Sequence, residues 1–321
     1  MNVLVANNHL SSIGGSEMYM YDLIKSLSEK RNIHVEYFTF QKGSVSEKIE
    51  QDLQVTFQSK KKYDLIIASH YPIIKKLCTF GPIIQVCHGT SHILESPCPL
   101  ADFHVAVSQE ISDFLTQQNI RNKTLLNGLD LATKKPIHPL NHEIKNVLSL
   151  CQSKEANETI REICQEEKWG FTAFNKHVNP TFNIEKIINQ HDIVVGIGRS
   201  IYDAMACGRP GIIYDQREYN GNLADGYLEP EKFNLFSLFN CSGRYSRKIL
   251  DKQSLKNEFY KYNPEDGTRL RRIAENQLNI TKLTDDFLTL LENIRVRNIL
   301  TKHLLSVFYY FRDKDYKTQK Q

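Results

Sequence analysis

Short apolar runs alternate along the chain with stretches whose apolar positions recur at helical spacing. The first run, at residues 3–6, reads Val-Leu-Val-Ala. Residues 16–30 follow, with Met18, Tyr21, Leu23, Ile24 and Leu27 placed to form one face of a helix. Further strands are expected at 35–40, 64–69, 83–87, 103–107 and 124–126, with helices at 72–80 and 109–118 between them. The pattern pauses over 133–143, a polar stretch containing Pro136 and Pro139, and then restarts. Strands are expected at 147–151, 171–174, 193–197 and 211–214, and helices at 155–168, 184–190 and 202–207. Strands that alternate with helices predict a mainly parallel sheet covered on both faces. The expected fold class is therefore α/β, with two Rossmann-like halves and a cleft between them, a favoured place for a ligand. The expected boundaries are 1–135 for the first half, 136–290 for the second, and 291–321 for a C-terminal helix and basic tail. Residues 270–299 are expected to be helical, and 300–311 to continue as an apolar, aromatic helix.

Composition narrows the class. A chain of 321 residues has room for about two domains. An apolar content of 40% excludes a disordered chain. No run of about 18 apolar residues is present to span a bilayer. Residues 1–10 lack the basic region and cleavage site of a signal peptide. The seven cysteines are odd in number and scattered without a Cys-x-x-Cys pair, which reads as reduced cytosolic thiols. The net charge is +4, but residues 293–321 alone carry seven Lys/Arg against two Asp. The body is thus close to neutral, and no nucleic-acid partner is expected. His88 and His92 have helical metal-ligand spacing but no Glu between them and no third ligand, so no metal is assigned. Asp313 and Asp315 read as a solvated helix end.

Two strand–loop–helix junctions carry candidate chemistry. The first ends in Gly14-Gly15-Ser16-Glu17. Paired glycines let backbone amides approach a ligand, and a helix N-terminus adds partial positive charge. A flexible turn with Ser16 as N-cap is the simpler alternative. The second junction runs from the strand at 193–197 into Gly198-Arg199-Ser200-Ile201-Tyr202-Asp203. Gly198 permits a sharp turn, and Arg199 and Ser200 fall where a helix begins, so a diphosphate there would meet amides and a guanidinium. Asp203, one turn on, is placed to accept from ribose hydroxyls. Alternatively, Ser200 and Asp203 only cap a helix.

Four motifs together resemble the retaining GT-B glycosyltransferases (glycosyl transferases group 1, family 4-like). They are Gly-Gly-x-Glu at 14–17, His88-Gly89 after a strand, Asn127-Gly128-Leu129-Asp130 before the linker, and Asp-Ala-Met-Ala-Cys-Gly-Arg-Pro at 203–210. They occur in the family's order over residues 1–290. The resemblance implies a hexosyltransferase of GT-B fold, with a nucleotide-sugar donor in the second half and a glycan or lipid-linked acceptor in the first. It implies no cofactor and no metal, because cations and a helix N-terminus stabilise the leaving diphosphate. By the same resemblance, His88 and Lys154 are catalytic, and Arg199 is expected to supply the charge of the family's missing arginine. Gly198, Arg199, Ser200, Ile201, Asp203 and Lys154 hold the donor, and Gly14, Gly15 and Glu17 form the acceptor loop. Asp203 matches the second of two family glutamates, whereas the first falls on Val195, which has no polar group. Gln152 stands where the family has arginine, and Lys154 is either the family lysine or a surface lysine at a helix start. Two other functions stay open: a non-catalytic glycosyltransferase-like subunit, and a nucleotide-sugar epimerase of the same fold. The tail combines Arg295, Arg297, Lys302, Arg312, Lys314, Lys317 and Lys320 with Leu304, Phe308 and Phe311. That suits an anionic membrane surface, making this a cytoplasmic protein peripheral to the inner face. The other reading packs the tail helix back over the first half.

Overall fold

The structure is a computed structural model that describes residues 1–90, 92–175, 178–294, 296, 300–302 and 304–305. Its first sheet contains β1 (Asn2–His9), β2 (His34–Gln41), β3 (Thr56–Phe57), β4 (Leu65–Ser69), β5 (Ile83–Cys87), β6 (Phe103–Ala106) and β7 (Asn122–Thr124). They pair in parallel in the order β3-β2-β1-β4-β5-β6-β7. The second sheet holds β8 (Asn146–Ser149), β9 (Gly170–Ala173), β10 (Ile193–Gly196), β11 (Gly211–Ile213) and β12 (Gly226–Tyr227), in the order β12-β11-β10-β8-β9. Only its edge strand β12 runs antiparallel. The helices include α1 (Gly15–Ser28), α2 (Ser44–Leu53), α3 (Tyr71–Leu77), α4 (Gln109–Gln117), α5 (Lys154–Glu167), α6 (Ile184–Ile188), α7 (Arg199–Ala206), α8 (Phe233–Ser237), α9 (Lys252–Phe259), α10 (Pro264–Gln277) and α11 (Ile280–Asn293).

Each sheet is covered on both faces, so its strands are apolar along their length. In β1, Val3 and Val5 face one core, with α1's Tyr19, Met20, Leu23 and Ile24; Leu4 and Ala6 face another, with α3's Ile73 and Leu77. The second sheet divides in the same way. Val147 and Val195 pack with α5's Ile160 and Ile163, while Leu148 and Val194 pack with α6's Ile188.

The structure departs from the sequence pattern in several places. The strand expected at 124–126 forms earlier, at Asn122–Thr124, because its partner β6 ends at Ala106. There Val107 leads into Ser108, which caps α4 by accepting the Ile111 N–H. Elements α2, α8, α9, β3 and β12 were not anticipated. The single helix expected at 270–299 is two, α10 and α11. Asn279 starts the second by accepting the Thr281 N–H at 2.9 Å. Leu129 inserts at the break, donating to Leu278 O (2.7 Å) and accepting from Ile280 N (3.1 Å). A Cβ at Gly128 would stand 2.9 Å from the side-chain ends of both Ile280 and Leu283 and 3.0 Å from Ile280 Cα, so a larger residue here would push the crossing segments apart. Beyond it, Ile280, Leu283 and Phe287 join the core of the first sheet, not the second. The Ser26 and Thr284 hydroxyls meet at 3.1 Å between α1 and α11.

One tail lysine also returns to the first half. Lys302 is buried, and its Nζ donates to Asp102 Oδ2 (2.5 Å) and Gly81 O (3.0 Å). It is therefore withdrawn from any lipid-facing surface. Arg295, Arg297 and residues 306–321, with Arg312, Lys314, Lys317, Lys320, Phe308, Phe311, Asp313 and Asp315, lie outside the described residues.

Removing one partner of a buried pair strands the other charge. Lys302→Ala is expected to destabilise the protein by about 3 kcal/mol. The double variant Lys302→Met, Asp102→Asn should recover most of that loss in urea unfolding, because it removes both charges.

Candidate functional site

In an open parallel sheet, a crevice forms outside the strand ends where neighbouring strands send their connections to opposite faces. The first sheet has this point between β1 and β4, and the second between β8 and β10. A cavity of about 150 Å³ lies between the two halves. Gly14, Gly15 and Met18 line it from the first half, Gln152, Arg199, Ser200 and Asp203 from the second, and Lys134 from the linker.

The wall formed by α7 follows from its entry turn. Gly198 sits at φ +58°, ψ −125°, which side-chain-bearing residues rarely adopt. Its N–H donates to Cys241 O at 2.8 Å. Among the described residues no side chain caps the first turn of α7, whose Ser200 and Ile201 N–H groups donate to Ile197 O and Gly198 O at 3.3 and 3.0 Å, and the positive end of its dipole points to the cavity side of the turn.

Four charged side chains alternate in sign across this wall. The guanidinium of Arg199 donates through Nη2 to Asp22 on α1, in the opposite half. Its Nε lies 3.9 Å from Asp203 Oδ2. Lys134 Nζ stands 2.9 Å from Asp203 Oδ1, an ion pair without hydrogen-bond alignment. All four are largely buried, with side-chain exposures between 5% and 11%. Burial opposes the charge on Arg199, but the Asp22 and Asp203 carboxylates outweigh it and hold the guanidinium above its ordinary range. Arg199 Nη1 is buried and has no hydrogen-bond partner among the described residues.

Of the expected site residues, the structure brings together Gly14, Gly15, Gly198, Arg199, Ser200 and Asp203. Asp203 faces two cations instead of standing free for a ribose. Ile201 is given to the core: its side chain is fully buried, and its N–H is spent on Gly198 O at 3.0 Å. Lys154 points away from the cavity, 83% exposed and 3.6 Å from Glu158, which corrects its assignment to the donor site. Ser153 caps α5 by accepting the Ala156 N–H, and Lys154, the first residue of that helix, is exposed. Lys134 and Asp22 were missed. Lys134 carried no signal in a polar linker, whereas Asp22 was visible as an acid beside the apolar stripe of α1.

Glu17 and His88 belong to a second polar group, over the ends of β1, β4 and β5. The Glu17 carboxylate lies 3.0 Å from His9 Nδ1 and folds over Gly14, where a Cβ would come within 2.1 Å of Glu17 Oε2. His88 Nε2 meets Ser69 Oγ at 3.0 Å, and the His88 ring packs edge-on against Tyr19 at 5.2 Å. Glu95 accepts the His88 N–H at 3.2 Å, and its other oxygen is 3.2 Å from His70 Nε2. His70 Nδ1 accepts the Asn8 N–H, so these contacts assign its proton to Nε2. Burial chiefly, with His70 and Arg199 nearby, outweighs Glu95 and brings His88 down to about 4, leaving it neutral at pH 7.

Among solved structures, the glycotransferase of kitacinnamycin is similar, with a TM-score of 0.55 at 12% identity over 88% of this chain and 97% of that one. A mutant O-GlcNAc transferase of Thermobaculum terrenum matches with a TM-score of 0.52 at 7% identity, over 90% of this chain and 66% of that one. No family model and no curated protein matches the sequence. At such identities the likeness concerns the fold, and the chain has the GT-B fold, with two Rossmann-like units facing a cleft.

The depressed His88 value ties stability to pH. An unfolded histidine takes up a proton near pH 6.5, whereas the folded one resists until about 4. The contribution is complete above about pH 6.5 and is lost progressively as pH falls towards 4. Urea midpoints should show this slope in the wild type and lose that part of it in His88→Gln.

Proposed function

We propose that the chain is a glycosyltransferase that moves a sugar from a nucleoside diphosphate sugar to a glycan acceptor. The donor's diphosphate lies at the start of α7, and the acceptor enters past Gly14 and Gly15. The observation that carries this reading is the buried, unpartnered Nη1 of Arg199 beside an uncapped helix N-terminus, in a cavity shared by both halves of a GT-B fold. Negative charge builds on the diphosphate as the glycosidic bond to it breaks. Arg199, Lys134 and the positive end of the α7 dipole stabilise that charge from fixed positions. Lys134 takes the part first given to Lys154. Gly198 and Ser200 shape the turn, and Asp203 orients both cations. Retention at the anomeric carbon and operation without a metal ion belong to the same proposal, as does a hexosyl donor.

A second reading has a specific observation behind it. Val195 is fully buried in the second core, so the position of the family's first carboxylate sends nothing polar to the cavity. That favours a subunit which binds a nucleotide sugar without turnover. Donor hydrolysis in purified protein separates the two readings, and product analysis with donor alone reveals an epimerase. Among the described residues no helix is long and apolar enough to cross a membrane. The proposal of a peripheral protein at an anionic surface rests on basic residues outside those described.

Calorimetry with UDP, GDP, ADP and dTDP tests the donor site. Arg199→Ala should weaken the best of them by about 2 kcal/mol, the scale of a hydrogen bond to a charged group. Binding of the corresponding nucleoside should be unchanged. Equal diphosphate affinity in the variant sinks the proposal.

A further inference from the structure

Asp22 has no part in the scheme above, yet it holds that scheme's central cation. It lies on α1 between Tyr21 and Leu23 and is 3% exposed. Its carboxylate accepts from Arg199 Nη2 across the cleft. A carboxylate and a phosphate offer a guanidinium similar paired oxygens, so the two compete for it. Neither partner of a buried pair gives up the other without replacement, because an unpaired buried charge costs several kcal/mol. The cavity beside the pair, about 150 Å³, is smaller than the ~300–1,000 Å³ of ordinary small-molecule sites. The cavity is half open to solvent, so a nucleoside diphosphate can extend beyond it, and the Asp22–Arg199 contact joins the two walls there beside Phe182, which packs onto the core of the first half.

We propose that Asp22 is an internal competitor for the donor's diphosphate. It holds Arg199 until phosphates arrive and yields it to them, so that donor binding and release of the Asp22–Arg199 pair are one equilibrium. This rests on the reading of Arg199 as a diphosphate ligand. A second cross-cleft pair supplies the control. Arg244 forks onto Glu110 at 2.5 and 2.9 Å, between α4 and the segment after α8, and neither residue lines the cavity. Glu110→Gln loosens the contact between halves and leaves Arg199 paired.

The test is calorimetry of the wild type, Asp22→Asn and Glu110→Gln with the nucleoside diphosphate that binds best. Binding only to the fraction with a free guanidinium lowers apparent affinity by that fraction, so Asp22→Asn should bind roughly tenfold more tightly. Glu110→Gln should change little. Unchanged or weaker binding in Asp22→Asn overturns the proposal, as does an equal gain in Glu110→Gln, which would mean mere loosening. Should Asp22→Asn fail to fold, the ¹³C carboxyl resonance of Asp22 in the wild type gives the answer. It should shift when the site is saturated, and an unmoved resonance overturns the proposal. If the wild type and every folded variant bind no nucleoside diphosphate, the donor reading falls and the competitor with it. Binding without a gain in Asp22→Asn removes the competitor alone.

Discussion

The cleft depends on one buried run of alternating charge, from Asp22 through Arg199 and Asp203 to Lys134. Each member is too poorly solvated to stand alone, so each fixes the next. The run starts on α1 of the first half, crosses to α7 of the second, and ends in the linker. It thus couples the three segments whose relative placement defines the cavity. The charges sum to zero, which lets the run stay buried, yet one buried donor, Arg199 Nη1, has no partner among the described residues. A leftover donor in a neutral cluster suits a site that must attract an anion without being strongly basic throughout.

Much of this arrangement was legible because local sequence controls it. Alternating strands and helices announced two Rossmann-like units. Gly198 announced the turn into α7, since a left-handed residue after a buried strand leaves few other choices. Long-range partners were illegible. Nothing near Lys134 in sequence indicates that it meets Asp203, which lies on α7, and nothing near Lys302 indicates Asp102. The split between α10 and α11 was missed for the same reason. Asn279 is an ordinary N-cap residue, but it is the crossing by Leu129 that makes the chain stop and restart there. Lys154 misled because its place after β8 matched a family pattern, while exposure is decided by which way α5 turns on its sheet.

The second half braces the cavity wall from behind. Asp215, fully buried after β11, accepts the N–H groups of Gln152 and Ser153 and the Arg217 Nε, which pins the loop after β8. Cys241 O holds the Gly198 N–H, and Asn240 Oδ1 accepts from Asn127 Nδ2. Asn240 and Cys241 both have positive φ, 55° and 47°, a conformation that two successive non-glycine residues keep only when their surroundings demand it. The turn at α7 is thus tied to the loop behind it and to the motif before the linker. The contacts between the halves are thus less braced than the wall formed by α7. At the cavity those contacts include the packing of Phe182 onto the first core and the Asp22–Arg199 pair, and in the latter a phosphate can exchange for a carboxylate. A wall braced by its own hydrogen bonds and joined to its neighbour by exchangeable charges can admit an anionic ligand without being rebuilt.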